Sequence, residues 1–242
     1  MRVALMQPYF FPYLGYFQLI NAVDEFVIFD NAQYVRRSWI SRNRILNEHK
    51  ESVFINVPIS KSPRETKIKD ILINNNINWQ GKLFNQLIYY KQAPYFNYVV
   101  DFLNDCLSNS SHNNLSEFNT ILLRKICSLL CIKTDITILS KKFPAIESAN
   151  SADEWGIKVS KALNATTYIN AIGGKDFYNQ EKYRDNGISI HFIKPSLSPY
   201  KQFDKHFIPG LSIIDVMMFN DINKIKDMLE MQVYFDSLDV YM

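Results

Sequence analysis

The sequence predicts an α/β fold: a mostly parallel sheet of βαβ units, Rossmann-like in layout, with a helical insertion. Three observations predict it. Two short apolar runs, Val3-Ala4-Leu5-Met6 and Phe26-Val27-Ile28-Phe29, stop at the polar residues Gln7 and Asp30, with helix-spaced apolar residues between them. A second strand, glycine loop, helix and strand series runs from Thr167 to Ile193. Residues 78–131 show helical periodicity throughout. The chain, 1–242, therefore reads as a single α/β domain with 78–131 as an insertion or subdomain within it.

The elements follow in order. Tyr13, Tyr16, Phe17 and Ile20 recur at i, i+3, i+4 and i+7, one face of a helix. Pro12 suits its first turn, where the missing N–H has no partner to lose. The connection from Gln7 to Phe26 is long enough for a helical crossover, so the two flanking strands should be parallel neighbours. Both are almost wholly apolar, as in a sheet covered on both faces. Val53 to Pro58 is a further strand, either ending at the same sheet edge or forming a hairpin with residues 39–46. Ser60 to Asp70, with Lys61, Arg64, Lys67 and Lys69, reads as a solvated surface loop, with a lid over 58–70 as the alternative.

Three apolar stripes then mark helices: Trp79, Leu83 and Leu87; Phe96, Val99, Val100, Leu103 and Leu107; and Phe118, Ile121, Leu122, Ile126 and Leu129. A polar break, 108–114, separates the last two. Ile136 to Leu139 is a short strand. Ser151-Ala152-Asp153-Glu154 has the spacing of a capping box opening a helix to about Leu163. Thr167-Tyr168-Ile169 is a strand stopping at Asn170, followed by Gly173-Gly174, a helix near Lys175 to Tyr183, and the strand Ile188 to Ile193. The tail carries a helix from about Ser212, in which Asp215 should cap or meet a buried cation. A last helix runs from Asp221 to Met231.

Composition excludes several functional classes. Apolar residues make up 47% and charged residues 21%, an ordinary globular balance. The net charge of +3 gives no general case for binding nucleic acid or membranes. No apolar stretch reaches the roughly 18 residues of a membrane span, and the amino terminus is too short in apolar residues for a signal peptide. Three cysteines do not make a disulfide framework, so a reduced, cytoplasmic protein is expected. Cys127 and Cys131 lie four apart without histidine or acidic companions and read as buried structural thiols rather than metal ligands. His49, His112 and His206 stand in polar surroundings and His191 in an apolar strand. No triad order, Walker sequence or dinucleotide fingerprint appears, which disfavours triad hydrolases, metalloenzymes and dehydrogenases.

In sheets of this kind ligands bind beyond the carboxyl ends of the strands, which puts Gln7 and Asp30 at the binding edge. Just beyond lie Arg36, Arg37, Arg42 and Arg44, with no acidic residue between Asn31 and Asn47. An arginine fork suits the paired oxygens of a diphosphate. Tyr9, Tyr16, Tyr34 and Trp39 offer faces for stacking on a base or sugar. Gly173-Gly174 would let backbone approach an anion, although a tight turn also explains the pair. The candidate binding set is Gln7, Tyr9, Tyr16, Gln33, Tyr34, Arg36, Arg37, Trp39, Arg42, Asn170, Gly173, Gly174 and Lys201. The candidate catalytic set is Asp30 or Asp215 as base, with Asn43 orienting an acceptor.

MQPYFFPYLGYFQLINAVDEFVIFD with the following RRSWISRNR resembles the WbqC-like protein family. So do TYINAIGGKDFY and YKQF…FIPGLSIIDVMMFN near the other end, and the resemblance covers essentially the whole chain. That family takes its name from proteins of bacterial surface-polysaccharide (O-antigen, lipopolysaccharide) gene clusters, and the resemblance implies a biosynthetic setting without supplying catalytic residues. A second likeness is by analogy only. Nucleotidylyltransferases and pantothenate-synthetase-like ligases also begin strand, proline–glycine loop, helix, strand, but hold ATP phosphates with paired histidines. Here Pro12-Tyr13-Leu14-Gly15-Tyr16 has none.

The leading expectation is a transferase acting on a nucleotide-activated amino sugar, moving an acyl or aminoacyl group, with a carrier protein as one conceivable donor. Such transfer needs positioning, an oxyanion stabiliser and a base. The alternatives are ATP- and magnesium-dependent activation of a small acid, and a non-enzymatic binding or assembly protein of the polysaccharide machinery. No metal site or other cofactor is evident.

Overall fold

The computed structural model describes residues 1–108, 113–203, 206–231 and 233–236. Its centre is a six-stranded sheet whose strands lie in the order 135–138, 25–28, 2–6, 167–171, 189–194 and 233–236. Strands β1 (Arg2–Met6) and β2 (Glu25–Ile28) are parallel, in register from Val3 opposite Glu25 to Met6 opposite Ile28. The helix between them, α1 (Leu14–Asn21), begins two residues after Pro12, and seven of its eight residues are buried. The next two strands, β3 (Arg42–Leu46) and β4 (Ser52–Asn56), form a separate antiparallel hairpin. The parallel placement weighed for Val53 to Pro58 is thus replaced by the hairpin. Of β4 only Ile55 is buried, so the run lacks the two covered faces of a central strand.

Residues 78–131 hold three helices, α2 (Trp79–Leu87), α3 (Phe96–Ser108) and α4 (Leu115–Leu129). Asn78 and Asn114 cap α2 and α4 by accepting from the amides of Gly81 and Glu117. The expected polar break and His112 lie partly or wholly outside the described residues. Cys127 is buried and burial pushes its thiol up to about 12, but Cys131 is exposed. It follows α4 at φ 58°, outside the helix pattern that would have buried it.

Strand β5 (Asp135–Ile138) pairs in parallel with β2 and leads directly into α5 (Leu139–Lys142). Helix α6 (Glu154–Ala162) starts without the expected capping box: the Ser151 hydroxyl donates to the Asp153 carboxylate, while Glu154 Oε2 accepts from the Asn150 amide. Strand β6 (Thr167–Ala171) pairs with β1 on one side and β7 (Ser189–Lys194) on the other, both in parallel. In place of one helix from Lys175 to Tyr183 there is a 3₁₀ turn over Ile172–Phe177, then the short α7 (Gln180–Asp185). Asn179 caps α7, which interrupts the helix at that point.

A connection without regular structure then leads to α8 (Ile213–Phe219) and α9 (Ile222–Glu230), capped by Ser212 and Asp221. Strand β8 (Val233–Asp236) pairs antiparallel with β7. Five parallel strands with alternating helices make this a Rossmann-like α/β fold. Apolar residues cover the sheet on both faces, in one large cluster including Phe17, Phe26, Phe118 and Ile214 and a smaller one around Tyr168, Tyr183 and Phe192.

Candidate ligand-binding site

The chain runs outward from β1 in both directions, to β2 and β5 on one side and to β6 and β7 on the other. A crevice forms at such a switch point, because the connections leaving neighbouring strands diverge. Here it is a cavity of about 740 Å³, within the usual range for small-molecule sites. Strand ends form its floor: Leu5 and Met6 of β1, Phe29 after β2, Asn170 and Ala171 of β6, and Pro195 after β7.

One wall is the loop after β1 together with the start of α1, contributing Gln7, Tyr9, Tyr13, Gly15 and Tyr16. Its backbone is held from several directions. Asn43 Nδ2 donates to the carbonyls of Phe10 (3.0 Å) and Phe11 (2.8 Å), and Ser212 Oγ also donates to Phe11 O at 2.8 Å. Asn119 Nδ2 donates to Pro8 O at 2.9 Å, and Tyr16 Oη to Gln7 O at 2.7 Å. These bonds hold Phe11 at φ 39°, which an L-residue seldom adopts unsupported. A Cβ on Gly15 would stand 2.4 Å from the Tyr13 ring and 2.5 Å from Pro195 Cβ, so glycine permits this wall to close on β7.

The opposite wall is the turn after β6, with Ile172, Gly173, Gly174, Phe177 and Tyr178. None of Ile172–Phe177 is buried. Gly174 leaves room for the Asn170 amide, whose Nδ2 would lie 2.8 Å from a Cβ there. Asn170 Oδ1 accepts from the Ala171 amide. A Cβ on Gly173 would meet nothing within 4 Å, so neighbouring protein does not dictate glycine at that position.

The lining is aromatic and neutral. Among the described residues that line the cavity, none carries a formal charge. Its polar lining residues include Gln7, Asn170, Tyr9, Tyr13 and Tyr178. Burial raises the phenol pKa of Tyr9 and Tyr13, and Tyr9 nearby raises that of Tyr13 further, so both are protonated donors at neutral pH. The site can stack on flat or sugar-like faces and exchange hydrogen bonds with hydroxyl and amide groups. None of the described lining residues carries a carboxylate or imidazole that could act as a base.

The sequence-predicted residues therefore divide. Gln7, Tyr9, Tyr16, Trp39, Asn43, Asn170, Gly173 and Gly174 are brought together around the cavity. Asn43 has no free polar atom to orient an acceptor, since both carbonyl bonds use Nδ2 and Oδ1 accepts from the Arg44 amide. Asp30 stands beyond the wall: its carboxylate accepts from the Ser140 amide (3.0 Å) and hydroxyl (2.5 Å), pinning the start of α5 to the end of β2. Burial raises its pKa, against the Ser140 bonds. Asp215 meets no cation, contrary to expectation. It is fully buried and accepts from Tyr90 (2.6 Å), Tyr200 (2.5 Å) and Gln202 (2.9 Å), away from the cavity. Burial raises its pKa too, against those three bonds.

The other cations also lie outside the lining. Arg42 stacks on Phe54 with its guanidinium carbon 4.2 Å from the ring centroid, and Arg36 reaches Ser62 O at 3.5 Å. Arg37 and Lys201 are exposed. Gln33 donates to Arg64 O, tying 58–70 to the 31–34 segment, and Tyr34 shares a hydrogen bond with Ser41. The lining also holds residues outside the predicted set, among them Tyr13 and Tyr178. Tyr13 is spaced like any core residue of α1, and Arg44, which is not itself part of the lining, touches it at Gly210 and Trp39. Among the described residues no group of three or more His, Cys, Asp or Glu side chains could hold a metal, and no helix is long and apolar enough to cross a membrane.

Comparison with known proteins gives the lineage. An uncharacterized protein of Mycobacterium tuberculosis (strain ATCC 25618 / H37Rv), Rv1507c, is 32% identical over 225 residues, covering 90% of this chain and 93% of its own. No solved structure matches. The family model for WbqC-like proteins matches residues 7–227, a span that includes every residue of the cavity wall beyond the end of β1. The chain belongs to the WbqC-like protein family.

Proposed function

We propose that this protein is a transferase of bacterial surface-polysaccharide (O-antigen) synthesis that binds a nucleotide-activated amino sugar in the switch-point cavity. One observation carries the reading: a 740 Å³ cavity at the carboxyl edge of a Rossmann-like sheet, walled by aromatics and uncharged amides. Tyr9, Tyr13 and Trp39 suit the flat faces of a base or pyranose. The amides of Gln7 and Asn170 suit hydroxyl and N-acyl groups. Catalysis here rests on holding two reactants together, which can by itself account for much of a transfer rate.

The absence of any carboxylate or imidazole among the described lining residues favours one second reading, a binding protein of the same machinery that presents the sugar to another enzyme. ATP-dependent activation has no such support.

Calorimetry separates these readings. A nucleotide-activated N-acetylamino sugar should bind, and Asn170→Ala should weaken it about tenfold through loss of a buried hydrogen bond. ATP with magnesium binding in its place would sink the proposal. Slow hydrolysis or acyl transfer of the bound sugar supports the transferase over the binding protein.

A further inference from the structure

We infer that Arg44 forms an anion subsite on the Trp39–Gly210 side of the cavity, taking the phosphate groups of a ligand whose neutral part occupies the cavity; this rests on the ligand class proposed above. Arg44 follows Asn43 on β3, so the two side chains leave opposite faces of the strand, and Arg44 meets the cavity wall from outside its lining. Its guanidinium lies between two residues of the cavity wall: Nη2 reaches Gly210 O at 3.4 Å, and the guanidinium carbon is 5.7 Å from the Trp39 ring centroid. Its Nε is buried and has no hydrogen-bond partner among the described residues. Among those residues no carboxylate pairs with it.

A guanidinium has five N–H donors. A single long bond to one carbonyl leaves most of them uncommitted. Arg44 is half-buried, so its guanidinium keeps part of its hydration, and the buried Nε is the donor that a ligand anion would satisfy. The planar fork matches two phosphate oxygens at once. Arg42 Nε is also buried and unpaired, but its guanidinium lies over Phe54, and Arg36 reaches Ser62; neither Phe54 nor Ser62 lines the cavity. The neutral lining adds selectivity, because elsewhere in the cavity an anion would lose hydration without gaining a counter-charge.

Thermal shift and calorimetry with inorganic pyrophosphate, a sugar 1-phosphate, a nucleotide-activated sugar, the free N-acetylamino sugar and malonate test the subsite. Pyrophosphate should raise the melting temperature of the wild type, malonate should not, and Arg44→Met should abolish the pyrophosphate response. The same variant should weaken the phosphate-bearing sugars about tenfold while leaving the free sugar unchanged. Arg44→Lys, which keeps the charge but loses the fork, should fall between, and Arg37→Ala should match the wild type. A pyrophosphate response that survives in both Arg44 variants, or no response of the wild type to any phosphate-bearing probe, overturns the subsite. An Arg44-dependent pyrophosphate response without binding of any sugar leaves the subsite standing and removes the sugar reading instead.

Discussion

The two walls of the cavity are built in opposite ways. The wall after β1 is fixed from outside: Asn43 from the hairpin, Asn119 from α4 and Ser212 from the cap of α8 all hydrogen-bond to carbonyls between Pro8 and Phe11. The wall after β6 is a 3₁₀ turn with two glycines, no buried residue, and Phe177 exposed by 70%. A wall tied to three distant elements can hold donors in place before a ligand arrives, which lowers the cost of binding. A wall tied mainly to its own strand can adapt to what binds. On the proposed reading, Gln7, Tyr9 and Tyr13 would set what is recognised, while the turn would adapt to it.

The largest effect expected from this contrast is on stability. Asn43→Leu keeps the volume but strips partners from Phe10 O and the Arg44 amide and leaves Phe11 O only its Ser212 bond. Each buried polar group left unpaired costs roughly 1–3 kcal/mol, so a loss of about 3 kcal/mol is expected in urea denaturation. Phe177→Ser on the other wall should change stability by less than about 0.5 kcal/mol. Equal losses for the two variants would end the distinction between the walls.

What the sequence made legible follows the range of the interactions involved. The β1–α1–β2 unit could be read because its apolar runs and helical spacing are local, and the stop of its first run located Gln7, as the stop of the later run Thr167 to Ile169 located Asn170. The roles of Asp30 and Asp215 could not. A carboxylate at a strand end looks like a base until Ser140, 110 residues away, occupies its oxygens. Asp215 is caged by Tyr90, 125 residues distant, as well as by Tyr200 and Gln202. The placement of the arginines escaped for a related reason: Val53 to Val57 is apolar enough for a central strand, and its pairing as a hairpin lifts Arg36, Arg37 and Arg42 off the sheet edge.

Asp215 lies away from the cavity, but Tyr200 and Gln202, which donate to it, belong to the segment of chain between the lining residues Pro195 and Gly210. Burial raises its folded pKa above the unfolded value of about 3.9. A raised carboxyl pKa means that folding favours the protonated form. Its stabilising contribution is complete below about pH 3.9 and is lost as pH rises through the folded value. The stability of the wild type minus that of Asp215→Asn should therefore grow as pH falls from 7 toward 4, by no more than about 1.4 kcal/mol per pH unit. A difference that shrinks over that range would mean that the Tyr90, Tyr200 and Gln202 bonds outweigh burial.

Gly173→Ala gives the smallest change in stability and the sharpest reading of the adaptable wall. A Cβ there meets nothing within 4 Å, and the φ of Gly173 lies outside the left-handed region, so the fold opposes alanine neither sterically nor conformationally. Stability should move by less than about 0.5 kcal/mol and could rise slightly, since alanine narrows the unfolded ensemble. The methyl group would occupy space beside the cavity, and a ligand packed against the turn would have to yield to it. Unchanged melting with binding of the nucleotide-activated sugar weakened severalfold would mark the turn as part of the binding surface. Unchanged melting with unchanged binding would place the ligand entirely against the fixed wall, and the glycine pair would then serve only the turn.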